Sequence, residues 1–579
     1  TINGNYNNNT AQQNGGANFF ISTLTNVNII GNYNHNTANG TNDNYDSSVY
    51  YCAGGGANYF DSTLINVNIT GDYAGNIAGT SGGANLFRME IANVTIEGNY
   101  TQNTANGNKY YVIEGHDYYD GGGANYFQNT LNNIIINGNY TNNTAQAYGG
   151  ANYFNQALTN TTISGNYVCN TAGKRGGANR FHRLINTTIT GNYALNTAGM
   201  DGGANFFIST LTNTIINGNY SNNTAGYGGA NYFQNELTNT NITGNYALNN
   251  ATYGSGGANF FGSALFNTTI TGNYTLNTAQ HGSGGANRFY GLINVTINGN
   301  YANNTAQAYG GANYFQNTLN NIIISGNYYN NTAELGGANC FLNTLTNVNI
   351  SGNYANNTAQ NDGGANYFSN TLNNIIISGN YYNNTAEFGG ANYFFELLIN
   401  VTINGNYTLN TAKGSGGANY LQNKLTNTNI TGNYANNTAQ AYGGANYFYS
   451  LINVTISGNY YNNTAEFGGA NFFVKTLTNT NITGNYYNNI AKGSGGANYF
   501  QNTLTNTNIT GNYTLNTAQQ GDGGANLFGS TLTNTNMNGN YINNTGNSVI
   551  YIENSNQNNI IENSIFINDV QNIKINSGK

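Results

Sequence analysis

The chain predicts an all-β fold: a parallel β-helix (solenoid) of about 20 coils, with one coil per 26–28-residue repeat. Three observations predict it. Gly-Gly-Ala-Asn returns nineteen times, first at Gly15-Gly16-Ala17-Asn18 and last at Gly523-Gly524-Ala525-Asn526, mostly at intervals of 25 to 28 residues. Each interval holds three short apolar stretches parted by Gly or Asn. The repeats are rich in Asn, Gly, Thr and Tyr, all weak helix formers. Coils stacked about 4.8 Å apart would make a rod on the order of 100 Å long.

The unit that opens at Gly122 justifies each strand in order. The first is Asn125-Tyr126-Phe127. Across the copies the Phe127 slot is Phe eighteen times and Leu421 once, while the Tyr126 slot admits Leu86, Arg180, Arg288 and Cys340. Side chains alternate along a strand, so Phe127 and Asn125 are expected inside and Tyr126 outside. On that reading Asn125→Ala destabilises and Tyr126→Ala does not. The second apolar stretch carries Leu131, Ile134 and Ile136, also expected inside. Asn133 breaks their alternation and marks a corner. The third passes from Gly138-Asn139-Tyr140 to Asn143 and Ala145.

Asn holds four nearly fixed slots per coil, those of Asn125, Asn133, Asn139 and Asn143, with Asp72 an exception in the third. Stacked identical amides can hydrogen-bond along the axis. We therefore read Asn18, Phe20, Asn125, Phe127, Asn133, Asn139 and Asn143 as structural ladder positions rather than ligand groups.

Composition excludes several classes. Charged residues are 6% of the chain, and only 13 are Lys or Arg. Phosphate contacts need clustered cations, so nucleic acid is not an expected partner. No apolar run approaches the roughly 20 residues of a membrane span. Cys52, Cys169 and Cys340 occupy unrelated slots, so neither a disulfide framework nor a metal site is indicated and no cofactor is expected. The chain opens mid-repeat at Thr1-Ile2-Asn3-Gly4, from which we expect an earlier segment to be missing.

The motif Gly149-Gly150-Ala151-Asn152, alternating with Tyr140-Thr141-Asn142-Asn143, resembles the polymorphic outer-membrane-protein repeat (GGA-[ILV] with FxxN). It is also similar to repeats in adhesin-like surface proteins of methanogenic archaea. The resemblance covers about residues 1–546. It implies a right-handed parallel β-helix in a secreted, cell-surface protein. Asn in place of the aliphatic residue after Gly-Gly-Ala departs from the pattern.

Residues 1–546 thus form the repetitive domain, with loop insertions at 39–54 and 106–121, where two intervals lengthen to 40 residues. Both insertions occupy one slot, two coils apart. They carry Asp43, Tyr45, Asp46 and Tyr50, then Lys109, Tyr110, Glu114, His116, Asp117 and Asp120, a candidate binding cluster weighed evenly against plain solvated loops. Residues 547–579 leave the motif and read as divergent terminal coils, a cap or a subunit contact. Roughly thirty Asn-x-Thr/Ser sequons occur. Asn68, Asn241, Asn429, Asn481 and Asn508 sit at outward parity and are candidate glycosylation sites, while Asn294 in its corner slot is read as inward.

Function follows as an expectation. The leading reading is an extracellular structural or adhesive surface protein: a rod-like building block of a fibre, sheath or surface layer, self-associating head to tail or laterally. The alternative is an adhesin stalk that binds glycans or partner cells. A polysaccharide-active enzyme ranks lower, because carboxylates such as Glu236, Glu334 and Glu396 are scattered singly. An ice-binding role ranks lower too, because Thr-Asn-Thr segments such as Thr212-Asn213-Thr214 place the corner Asn at their centre. We therefore expect no enzyme.

Overall fold

The computed structural model describes residues 1–40, 53–107, 110–113, 116–555, 558–562, 564–567 and 571–576. These contain β-strands and no helix. They divide into two units, Thr1–Gly299 and Asn300–Lys579. Each unit is a parallel β-helix whose successive repeats pair in register.

In the first unit, the coil at Gly122 has strands Asn125–Phe127, Leu131–Thr141 and Thr144–Ala145. Phe127 pairs with Phe87 of one neighbouring coil and Phe154 of the other; Ile136 pairs likewise with Ile96 and Ile163. The corners explain the constant residues. Gly122 takes φ +71°, and a Cβ on Gly123 would lie 2.0 Å from the carbonyl oxygen of Gly150. Only glycine lets adjacent coils approach there. Asn133 and Asn142 turn the chain at φ +56° and +54°, the left-handed region Asn tolerates best among non-glycine residues.

The interior is layered along the axis. Phe87, Phe127 and Phe154 stack at 4.7 and 4.8 Å between ring centroids. Tyr100, Tyr140 and Tyr167 form a second row at 4.8 Å. Each aromatic pair adds roughly 0.5–1.5 kcal/mol beyond its burial. Leu131, Ile134, Ile136 and Ala145 fill the space between the rows. Like residues mostly meet like residues along these rows, so one good fit is repeated from coil to coil.

The second unit follows the same plan. Asn366–Phe368, Leu372–Tyr382 and Thr385–Ala386 make one coil, paired in register with Asn392–Phe394 and its successors. Beyond residue 546, Ile550–Ser555 pairs with the strand Asn526–Ile542, and Ile573–Ile575 pairs with Ile550–Ser555. The divergent stretch therefore continues the parallel winding with isoleucine in place of the motif residues. Phe566 stacks on Tyr541 at 4.8 Å and extends the tyrosine row.

Two orientation readings are corrected. Tyr126 is fully buried, as are Tyr59, Leu86 and Tyr153 in its slot, packed with Tyr148 from the corner before the next Gly-Gly. Parity does direct this side chain away from the Phe row, but the corner residue forms a second layer over it. Phe19, in the same slot, remains 50% exposed. Arg180 is tolerated among these rings because its guanidinium lies 4.4 Å from the Tyr153 centroid. Asn294 is exposed rather than inward, because its φ of +54° swings the side chain out of the strand alternation.

Candidate functional site

The asparagine rows divide into two kinds. Asn125 is buried and donates from Nδ2 to Asn152 Oδ1 at 2.9 Å, while its own Oδ1 accepts from Asn85 at 2.9 Å. The same Nδ2 lies 3.5 Å from the Tyr140 hydroxyl. Asn143 is buried at the next corner. Its Nδ2 donates to the Tyr100 carbonyl at 2.8 Å and to Asn170 Oδ1 at 3.0 Å. Its Oδ1 accepts from both the backbone N–H and the side chain of Asn103, each at 3.0 Å. The amide is thus fully engaged, which is what makes it stable in an apolar interior.

The other rows face solvent. Asn133 donates to Asn93 at 2.7 Å, and Asn139 donates to Asn99 at 2.9 Å. Asp72 takes part in the latter row by accepting from Asn99 at 2.7 Å. Burial keeps the tyrosines of the interior row protonated to higher pH than an ordinary phenol. Desolvation raises Tyr33 to about 12, and Tyr73, Tyr100 and Tyr167 are pushed well above the ordinary range by burial and then by their stacked neighbours.

The long strands present an outward face of Asn, Thr, Ser and occasional apolar residues. In the second unit the strands Leu319–Tyr329, Leu372–Tyr382, Leu398–Thr408 and Leu504–Thr514 contain no Asp, Glu, Lys or Arg. Ile323, Ile376, Tyr329 and Tyr382 stand out from this face, each about half exposed. In the first unit the corresponding face carries Asp72 and Glu97. Charge is instead carried by the corners, as in the ion pair of Arg88 with Asp61 across adjacent coils at 2.8 Å.

The insertion cluster is only partly in view. Asp43, Tyr45, Asp46, Tyr50, Lys109 and Glu114 lie outside the described residues, as does Cys52. Tyr110–Ile113 and His116–Tyr119 form an antiparallel hairpin that includes Tyr110, His116 and Asp117. Asp120 belongs to the wall rather than to an exposed loop: it is 1% exposed and accepts from Ser81 Oγ at 3.4 Å. Among the described residues no group of His, Cys, Asp and Glu is placed to hold a metal. Cys169 and Cys340 carry free thiols, and burial raises the Cys340 thiol.

Asn68, Asn241, Asn429, Asn481 and Asn508 are all exposed on the long-strand face. Thr212-Asn213-Thr214 turns at Asn213, with Thr214 buried and bonded to the Thr212 carbonyl, so its hydroxyls do not form a flat row.

The structure adds residues that the slot analysis passes over. The interior tyrosine row shares parity with Ile134 and Ile136, and its constancy between coils was the available signal. A corner of the second unit also gathers Phe395, Glu396, Gln422, Asn423 and Tyr449 around a cleft. Those positions vary from coil to coil, so no repeat pattern announces them. Neither a protein-family model nor a curated protein matches this chain.

Proposed function

We propose that this protein is an extracellular structural or adhesive surface element, a building block of a cell-surface fibre, sheath or layer that associates with copies of itself. One observation carries the reading: the charge-free outward face of the long strands, repeated in the same register from coil to coil in the second unit. A repeated surface of amides and hydroxyls, with exposed Ile and Tyr on some coils, suits contacts made many times over, rather than one localised reaction. Exposed apolar side chains gathered on one face mark interaction surfaces. The resemblance to adhesin-like surface proteins supports the same reading, and an adhesin stalk that displays bound glycans or engages partner cells is its closest variant.

Exposed Asn68 and Asn429 fit such a protein as carriers of glycan on the face that meets its surroundings. The test is to label intact source cells with an antibody to this chain and image the purified material. Surface labelling with ordered lateral or axial arrays is expected. Labelling only after lysis, together with monodisperse particles at high concentration, overturns the reading.

A further inference from the structure

The cleft in the second unit arises from a break in side-chain size along one corner. Tyr393, Tyr420 and Tyr447 pair in register on three successive coils, and Phe395, Gln422 and Tyr449 each follow two residues later, just past the paired stretch. Two large rings flank one slender amide. Two coil spacings separate the strands that bear the rings by about 9.6 Å. A ring in van der Waals contact on both faces needs about 7–8 Å between its neighbours.

The resulting cleft has a volume of about 400 Å³, within the range of small-molecule sites. Phe395 is 40% exposed, and Gln422 and Tyr449 are half-buried. Tyr420 and Tyr447 also line the cleft, stacked on each other at 4.4 Å. The register slips between Leu421 and Lys424, where the corner between Phe448 and Leu451 is one residue shorter than its neighbour. Such irregularities commonly re-aim side chains beside sites.

The polar groups define the ligand. Asn423 Nδ2 donates to Glu396 Oε2 at 3.1 Å, which fixes a carboxylate and an amide side by side at the rim. Gln422 accepts from the Tyr393 hydroxyl and lines the cleft. The Lys475 ammonium sits 5.9 Å from the Tyr449 ring centroid, beside one wall. A carboxylate at the rim disfavours anions, and an ammonium at the wall disfavours cations. Acceptors and donors interleaved between two apolar walls match a neutral ring that carries hydroxyl groups on its edge and C–H groups on its faces.

We propose that this cleft binds a neutral saccharide, with one pyranose ring held between Phe395 and Tyr449 and its hydroxyls bonded to Glu396, Asn423 and Gln422. The proposal deepens the adhesive reading above and rests on it for the origin of the glycan.

The experiment titrates the full chain with neutral tetrasaccharides of glucose, galactose, mannose and N-acetylglucosamine, by calorimetry and saturation-transfer NMR. At least one is expected to bind with Kd tighter than about 1 mM. Phe395→Ala and Tyr449→Ala should each weaken it tenfold or more, and Gln422→Phe, which fills the gap without removing a wall, should abolish it. Tyr290→Ala, at the same slot in the first unit and 39% exposed, should leave it unchanged. Melting curves of each variant separate lost binding from lost folding. Failure of all four sugars to bind, or binding indifferent to Phe395→Ala and Gln422→Phe, overturns the site. Surface arrays formed by Phe395→Ala would leave the surface reading standing in that case. Sugar binding in solution by a chain absent from the cell surface would overturn the surface reading and keep the site.

Discussion

Replacing Asn143 by Ala tests how much a buried amide row contributes. In the native coil its side chain makes four hydrogen bonds, two accepted from Asn103 and two donated to the Tyr100 carbonyl and Asn170, at 2.8–3.0 Å and with no solvent exposure. Alanine leaves the Asn103 backbone N–H and the Tyr100 carbonyl without these partners. Two buried orphan groups cost roughly 1–3 kcal/mol each, and the space left adds about 1 kcal/mol. Local stability should fall by about 3–7 kcal/mol. Asn139→Ala removes bonds of similar length on the exposed row, where water replaces them, and should cost at most about 0.5 kcal/mol. A solenoid need not unfold in one step, so the assay is native-state hydrogen exchange at the amides of Thr141 to Thr144 rather than a global unfolding energy. Faster exchange in the Asn143 variant alone is expected. Equal acceleration in both variants would refute the argument that burial, not amide stacking itself, makes the row important.

Two further predictions concern burial and charge. Tyr126→Ala should cost about 3–5 kcal/mol because the ring is fully enclosed, whereas Phe19→Ala, half exposed in the same slot, should cost about 1 kcal/mol; urea denaturation followed by near-ultraviolet circular dichroism distinguishes them. Burial, reinforced by Glu387, raises Asp362 from its ordinary 3.8 to about 6. The folded state therefore holds this proton more tightly than the unfolded one, so the destabilisation is absent below about pH 3.8 and fully present above about pH 6. Asp362→Asn should stabilise the fold at pH 7 by about 1 kcal/mol, after allowing for solvent screening of a half-buried group, and so raise the melting temperature there and not at pH 3. Alkaline titration adds a related expectation. The interior tyrosines keep their protons while unfolded tyrosines lose theirs from about pH 10, so stability is unaffected below that pH and falls as pH rises beyond it. Ultraviolet difference absorbance should show Tyr73, Tyr100 and Tyr167 ionising only with unfolding.

Much of this architecture was legible because each coil repeats the same physical problem. The strictness of Phe127 marked the interior, the loss of alternation at Asn133 marked a corner, and the fixed Asn125 and Asn143 marked amides that a buried position must satisfy. Parity, however, reports only which side of a backbone a side chain leaves. It did not say that Tyr148 would cover Tyr126, nor that a left-handed corner would turn Asn294 outward. Asp120 belonged by sequence to an acidic loop, yet its place at the loop's root puts it inside the wall. The cleft of the second unit was least legible, because Phe395, Gln422 and Tyr449 come together only through the coil spacing that sets two rings apart across one amide.

In-register parallel pairing between successive repeats underlies every row described above. It is tested most directly by cysteine cross-linking on the exposed asparagine row, in a background with Cys52 and Cys169 replaced by Ser. Asn166 and Asn192 are register partners, about 4.8 Å apart at Cα and inside the range a disulfide spans. Asn166→Cys with Asn192→Cys should close under mild oxidation. Asn166→Cys with Ala194→Cys, displaced two residues along the same face, should stay reduced. Closure of the displaced pair at an equal or faster rate would contradict the pairing on which the fold and its proposed surfaces depend.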